Sequence, residues 1–177
     1  FAYTATNSVY QASITFTGQN VGAGKFKRVA SVMRNCYFIT FCIAAVAAGI
    51  LIICRNPLLA LYGVVNGAAG SGEAIAYDSA VTRIMCIFPL YFLLAFMEVG
   101  SGVLRGLGRS ATSTLVSLVG SCIFRIIWIY TVFAAVPTLT VIYVSYPVSW
   151  GLTAAMHFIC CIVVRRKLMR ARNAAAE

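Results

Sequence analysis

The sequence predicts an all-α protein: a polytopic transmembrane helix bundle with four full spans and a partial one at the N-terminus. Hydrophobic residues make up 61% of the 177 residues, charged residues make up 10%, and the mean hydropathy is +0.89. A soluble domain of this length has too little interior for so many apolar side chains. The apolar residues also occur in long uninterrupted runs, which suit helices and exceed the short alternating strands of membrane barrels.

The first 17 residues form the weakest of these segments. The stretch FAYTATNSVYQASITFT is uncharged but rich in Thr, Ser, Asn and Gln. This composition favours the last part of a helix that faces protein or a cavity rather than lipid, and a flexible leader is the alternative. We therefore expect residues 1–17 to form a partial transmembrane helix.

Four later runs are predicted to be full spans, because each approaches or exceeds about 20 mostly apolar residues. They cover residues 36–54, 84–104, 111–136 and 138–164. Pro89 in the second span and Pro147 in the fourth should kink their helices. Residues 165–177 would follow as a tail, and the whole of 1–177 would form a single membrane domain.

The basic residues orient these spans. Lys and Arg number 14 against four Asp and Glu, a formal net charge of +10. Such an excess in a soluble protein would suggest nucleic acid, but here the basic residues flank apolar runs and determine topology, so no nucleic-acid partner is expected. Eleven of them fall on one side of the alternating spans, in loops near 18–35 and 105–110 and in the tail: Lys25, Lys27, Arg28, Arg34, Arg105, Arg109, Arg165, Arg166, Lys167, Arg170 and Arg172. Arg55 and Arg83 lie on the other side, so the positive-inside rule predicts a multi-pass protein of the cell membrane with a cytoplasmic C-terminus.

Metal and haem sites are not predicted. The seven cysteines lie in or beside the apolar runs, none forms a C-x-x-C pair, and His157 is the only histidine. We expect the thiols to be buried as small hydrophobic groups. No cofactor is expected.

Glycine-rich motifs stand at the ends of two apolar segments. The first is GQNVGAGK over 18–25 and the second is GVLRGLG over 102–108. The first motif lacks the spacing of a phosphate-binding loop. Their glycines favour tight turns and close helix approach. The motif residues singled out are Gly18, Gln19, Asn20, Gly22, Gly24, Arg105, Gly106 and Gly108.

These motifs, followed by the segment Arg125-Ile126-Ile127-Trp128-Ile129 and by Tyr146-Pro147-x-Ser149-Trp150, resemble the multidrug and toxic compound extrusion (MATE) family. The resemblance implies cation-coupled antiporters, not enzymes, with twelve helices in two six-helix lobes. On that plan the chain looks like the end of the second helix and the third to sixth helices of the C-terminal lobe. Since Phe1 stands where Met would begin a chain, we expect a fragment whose partner is the missing N-terminal lobe of the same transporter.

Glu98 is the only acid inside a full span. Charged residues within the bilayer usually face the bundle interior and often carry function, and desolvation there disfavours the charged form of a carboxyl. Glu98 also resembles an acidic residue that MATE proteins carry in this helix, although some carry theirs one turn earlier, where this chain has Leu94. Glu98 is therefore the first candidate for coupling to H+ or Na+, and neutralisation of a neighbouring arginine is the competing interpretation.

Arg125 is the candidate modulator of Glu98. The two lie at different depths in neighbouring helices, about 10 Å apart along the axis, so a direct pair is marginal and a water or serine bridge is equally compatible. Thr114, Ser117 and Ser121 share a helical face with Arg125, which predicts an inward polar stripe. This stripe suits either interhelical hydrogen bonds or a cavity lining.

Aromatic side chains on the last span are candidates for a substrate path. Tyr143, Tyr146, Trp150 and His157 form one stripe at helical spacing. Their rings would attract organic cations by cation–π interaction, with helix packing and an interfacial aromatic belt as the alternative. The predicted path comprises Tyr146, Trp150, Tyr143 and Ser121.

Three functional interpretations follow. The first is part of a secondary active antiporter that exports organic cations or drugs in exchange for H+ or Na+ across the lipid bilayer. The second is a flippase for lipid-linked precursors from the same wider superfamily, which would need inward arginines for an anionic substrate. The third is a membrane subunit or truncated product without transport activity.

Overall fold

The computed structural model describes residues 2–67 and 71–174, which are almost wholly helical and contain no strand. Within this part of the chain, four helical segments are long and apolar enough to cross a membrane. They are Phe26–Ile53, Gly72–Gly106, Ser110–Phe133 and Leu139–Ala174. The predicted all-α class with four full spans is therefore confirmed.

The N-terminal segment is a helix, α1 (Ala2–Gly22), and α2 (Phe26–Ile53) follows it almost directly. The predicted loop near 18–35 is therefore wrong, because only residues 23–25 separate the two helices. Gly24 makes this short turn possible, since its φ of +69° lies in the left-handed region that other residues avoid. The Lys and Arg of the region lie mostly on the first turns of α2, where their good helix propensity extends the span.

The second predicted span is the C-terminal part of a longer helical segment that is interrupted once. After the short α3 (Arg55–Leu61), α4 (Gly72–Ile87) begins at Ser71, whose hydroxyl accepts a hydrogen bond of 3.2 Å from the Ala74 N–H. One 3-10 turn, Phe88–Leu90, then separates α4 from α5 (Tyr91–Gly106). Pro89 lies in this turn and causes the expected break, because it lacks the N–H that would continue the α-helix.

The third span alternates between α and π geometry. It runs through α6 (Ser110–Ser117), a π segment (Leu118–Ile123), α7 (Phe124–Trp128) and a second π segment (Ile129–Phe133). Each π segment widens the helix and delays the return of a side chain to the same face. Counting at 3.6 residues per turn therefore does not apply within these two π segments.

The last span, α8 (Leu139–Ala174), is continuous through the buried Pro147. A helix interruption like the one at Pro89 does not accompany this proline. Helix α8 also continues through most of the predicted tail, from residue 165 as far as Ala174. Its Arg, Lys, Leu, Met and Ala residues are strong helix formers.

Helix α5 lies at the centre of the bundle. Ala95, Val99 and Val103 on α5 are fully buried. Contacts of α1 with one side of α5 and of α8 with another enclose it. Glycines make the approach close on both sides: a Cβ at Gly100 would lie 2.7 Å from the Cβ of His157 on α8.

The α1 contact on α5 is made by small and polar residues. A Cβ at Gly102 would meet the Ser13 hydroxyl, and one at Gly106 would lie 2.6 Å from the Cβ of Thr17. Ser13 and Thr17 are fully buried at this contact. Thr6, Ser13 and Thr17 of the N-terminal segment thus face protein, whereas Thr4, Ser8 and Thr15 on the same helix are exposed.

The cysteines are less uniformly buried than expected. All seven are free thiols, with Cys36 and Cys161 buried but Cys42 and Cys122 exposed on the protein surface. Exposure of an apolar thiol on a spanning helix is favourable where the neighbouring medium is lipid.

Candidate functional site

Glu98 projects from the central helix α5 towards α1. Its residue is half-buried, and its Oε2 is enclosed with no hydrogen-bond partner among the described residues. The hydroxyl of Thr6 on α1 is a hydrogen-bond partner of the Glu98 carboxyl, with the Tyr3 carbonyl at 3.0 Å as a second acceptor for its single proton. One carboxylate oxygen is therefore available to an ion or a proton at a protein-lined position in the bundle.

Tyr91 extends this site along α5. It lies two helical turns before Glu98 on the same face, and its hydroxyl shares Thr6 as a hydrogen-bond partner. The Tyr91 ring packs edge-on against Trp150 of α8, with centroids 6.2 Å apart at 88°. Tyr91 therefore lies between the Glu98 carboxyl and the aromatic residues of α8.

Arg125 is directed at α8 rather than at Glu98. Its Nε–H donates to the Ser149 hydroxyl at 3.1 Å, and its guanidinium carbon lies 4.2 Å from the centroid of the Tyr146 ring. The Ser149 hydroxyl in turn donates to the Tyr146 carbonyl at 2.8 Å. A serine, not the carboxyl, is thus the hydrogen-bonding partner of this arginine.

These contacts join into one central cluster across four helical segments. The rings of Tyr146 and Trp150 meet edge-on with centroids 6.0 Å apart, which connects the arginine to Tyr91 and so to the carboxyl. The central cluster comprises Thr6, Tyr91, Glu98, Arg125, Tyr146, Ser149 and Trp150. The Glu98 carboxyl lies at one end of the cluster and the Arg125 guanidinium at the other. Three aromatic side chains separate them: Tyr91, Trp150 and Tyr146.

The polar stripe of the third span agrees with the predicted one at Ser117, Ser121 and Arg125 and differs from it only at its first member. Thr114 is exposed, whereas Ser113 is fully buried in its place. Ser113, Ser117, Ser121 and Arg125 point inward at a constant spacing of four residues. Their respective partners are Ser101 at 2.8 Å, His157 at 3.5 Å, the Met97 sulfur at 3.6 Å and Ser149 at 3.1 Å. Residues four apart share one face of an α-helix, so Ser113 and Ser117 of α6 lie on the same side of the span.

Two predicted path residues lie outside the central cluster. Tyr143 lines a cavity of about 500 Å³ together with Arg83 and Phe88, on the side of α8 that faces α4. Ser121 borders the cluster only through Met97, the neighbour of Glu98. The structure therefore brings together Glu98, Arg125, Tyr146 and Trp150 but not Tyr143.

The glycine motifs shape helix ends rather than open loops. Gly18, Gln19, Asn20 and Gly22 belong to the last turns of α1, where the Asn20 amide donates to the Phe16 carbonyl at 2.8 Å. Arg105 and Gly106 likewise end α5, so the predicted loop near 105–110 shrinks to residues 107–109 with Gly108 at φ +76°. These motifs position α1 against α5.

The sequence did not predict a functional role for three members of the cluster: Tyr91, Ser149 and Thr6. Tyr91 could have been found, because it stands seven residues before Glu98 on one helical face. Ser149 lies inside the Tyr146–Trp150 motif, on the side of α8 that faces Arg125. Thr6 offered no such signal, since its contact with Glu98 depends on how α1 packs.

Comparison with known families supports the resemblance of the motifs. The MatE family model matches residues 1–131, more than half of the chain, including Glu98, Arg125 and both glycine motifs. No curated protein matches the chain. The chain belongs to the MatE family of membrane transporters.

Proposed function

We propose that the chain is part of a secondary active antiporter that exports organic cations or drugs in exchange for H+ or Na+. The observation that carries this proposal is the Glu98 carboxyl, which lies within the bundle with one oxygen unpartnered among the described residues. A single carboxylate can hold a proton, a sodium ion or a cationic substrate. Competition among them for one charge supplies the coupling.

Thr6 and Tyr91 prepare the carboxyl for this exchange. Hydrogen bonding from Thr6 stabilises the charged form, which binds cations. Withdrawal of water by the surrounding helices opposes that charge. The opposed effects let the carboxyl change partners as the bundle opens to one side or the other of the membrane.

Arg125 modulates the site from the other end of the cluster. It covers one face of the Tyr146 ring, the face to which an organic cation would otherwise be attracted. We propose that rearrangement of Arg125 frees the Tyr146 and Trp150 rings for substrate. Tyr143 and Ser121 would border the path without touching the coupling carboxyl.

The proposed transporter includes a second, N-terminal lobe in the same cell membrane, with the C-terminus in the cytoplasm. Alternating access by rocking of two lobes about a shared midplane site is common among transporters built in this way. Large apolar residues remain exposed on α2, on the third span and on α8, for example Phe38, Ile126 and Ile159. Such surface suits both lipid and a neighbouring lobe.

The test uses the complete transporter in proteoliposomes, loaded with a fluorescent organic cation and given an inward-directed H+ or Na+ gradient. Glu98→Gln is expected to reduce gradient-driven transport at least about tenfold, since it removes the exchangeable charge. Glu73→Gln is the matched control, because Glu73 is exposed in the first turn of α4.

Transport by Glu98→Gln at the normal, gradient-dependent rate would exclude Glu98 as the coupling acid. Movement of a lipid-linked anionic substrate in place of the organic cation would identify a flippase instead.

A further inference from the structure

A second site lies at the basic end of the bundle, away from the central cluster. A cavity of about 540 Å³ separates the start of α2 from the end of α8. Its lining includes six cationic side chains: Lys25, Lys27, Arg28, Arg166, Arg170 and Arg172. We name this cavity with its six cations the basic cleft.

The two walls of the basic cleft are held close together at Gly24. A Cβ on this glycine would lie 3.0 Å from Nη1 of Arg172, so the α1–α2 turn and the end of α8 approach within contact distance. The cations therefore come from segments distant in sequence but packed side by side. Both walls belong to ordered helices or to their caps.

The basic cleft concentrates positive charge, and no negative side chain of its described lining balances that charge. No acidic residue lies among the described residues that line the cleft. The acids of the described chain lie elsewhere: Glu73 and Asp78 on α4, and Glu98 in the middle of the bundle. The six cationic side chains are exposed, and an anion in the cleft would reduce their mutual repulsion.

The backbone at the start of α2 adds to the attraction for an anion. In the described structure no side chain caps the first turn of α2, and that turn carries no acid. The N–H groups of a helix N-terminus bind phosphate well when cationic side chains flank them. Lys25, Lys27 and Arg28 supply that flank.

We propose that the basic cleft binds the phosphate-bearing headgroup of an anionic phospholipid. The cleft lies where two membrane-spanning segments end, at the level at which Lys and Arg meet lipid headgroups. Phe26 and Met169 give it apolar wall next to the cations, which suits the glycerol and first methylenes of a lipid better than a free ion. The bound headgroup would fasten the end of α8 to the α1–α2 turn.

The test measures binding of short-chain phosphatidylglycerol to the complete transporter in a nonionic detergent, from the shift in apparent Tm with lipid concentration. Arg166→Gln with Arg170→Gln removes two cleft cations from one face of α8. The matched control, Arg109→Gln with Lys167→Gln, removes two cations that line a separate cavity at the same end.

The cleft variant is expected to bind phosphatidylglycerol at least about tenfold more weakly, and the control is expected to stay within about twofold. Arg166→Lys with Arg170→Lys should retain most of the affinity, which separates lost charge from lost folding. Equal weakening in cleft variant and control would overturn the proposal in favour of diffuse surface charge.

Two further arms identify the ligand. Short-chain phosphatidylcholine, with the same phosphate but no net charge, is expected to stabilise the protein far less. Inorganic phosphate at the same concentration is also expected to have a weaker effect. If either matches phosphatidylglycerol, the assignment to an anionic lipid is wrong.

Discussion

Glu98 and Arg125 illustrate what the sequence can predict at the scale of single residues. Their charges within apolar runs identify them directly, because few charged residues are tolerated in a bilayer. The sequence does not predict which side chains these two residues contact. Arg125 is directed at Ser149 and Tyr146, and Glu98 at Thr6, because helix rotation decides which side chains meet.

Thr6 provides the residue-scale prediction. Replacing Thr6 with Val keeps the side-chain volume but removes the hydroxyl that hydrogen-bonds the Glu98 carboxyl. Hydrogen bonds to charged groups contribute about 1.5–3 kcal/mol, so organic-cation binding should weaken at least about tenfold. Equilibrium binding to the detergent-solubilised transporter measures this effect.

The control for Thr6→Val is Thr6→Ser, which retains the hydroxyl and should bind within about threefold of the unmodified protein. Equal affinities for the Val and Ser variants would show that Thr6 does not support the carboxyl.

At the scale of elements, the number and type of helices follow from the apolar runs, but their ends and internal geometry do not. The sequence predicts Lys27 and Arg28 in a loop, whereas they lie on the first turn of α2; Arg170, predicted in a tail, lies on α8. No residue pattern along the third span predicts its two π segments. Helical spacing from Ser117 is compatible with either Thr114 or Ser113 on the inward face, and in the structure Ser113 is the buried one.

Packing of α1 on α5 gives the element-scale prediction. Gly102→Ala or Gly106→Ala should lower the free energy of unfolding by about 1–3 kcal/mol, since each Cβ would overlap residues of α1. Gly49→Ala is the control, because a Cβ there has no neighbour within 4 Å.

Apparent Tm of the solubilised protein compares these variants. Gly49→Ala should be neutral or stabilising, as Ala favours helix over Gly by about 0.5–1 kcal/mol. Equal Tm values for Gly102→Ala and Gly49→Ala would contradict the close α1–α5 contact.

For the whole molecule, the structure brings the basic regions to a common end of the bundle. Residues at the start of α2 share a cavity with Arg170, and Arg109 shares another with Lys167. Alternation of apolar runs and the charge count were sufficient to predict this grouping. The side of the membrane on which it lies follows from the positive-inside rule alone.

Topology reporters provide the whole-molecule prediction. Green fluorescent protein fused after Ala174 should fluoresce, and alkaline phosphatase at that position should stay inactive, because the C-terminus is expected in the cytoplasm. Fusions after Val65, between α3 and α4, should give the opposite pattern. Reversed results at both positions would invert the orientation.

The most direct test of the proposed coupling is the release of ions when an organic cation binds. The complete transporter in weakly buffered detergent solution is titrated with the cation while released H+ is followed with a pH indicator, or released Na+ with a radioactive tracer. Exchange at one carboxylate predicts about one ion released per cation bound, both in the unmodified protein and in Glu73→Gln, and none in Glu98→Gln. Undiminished ion release by Glu98→Gln would contradict the assignment of coupling to Glu98.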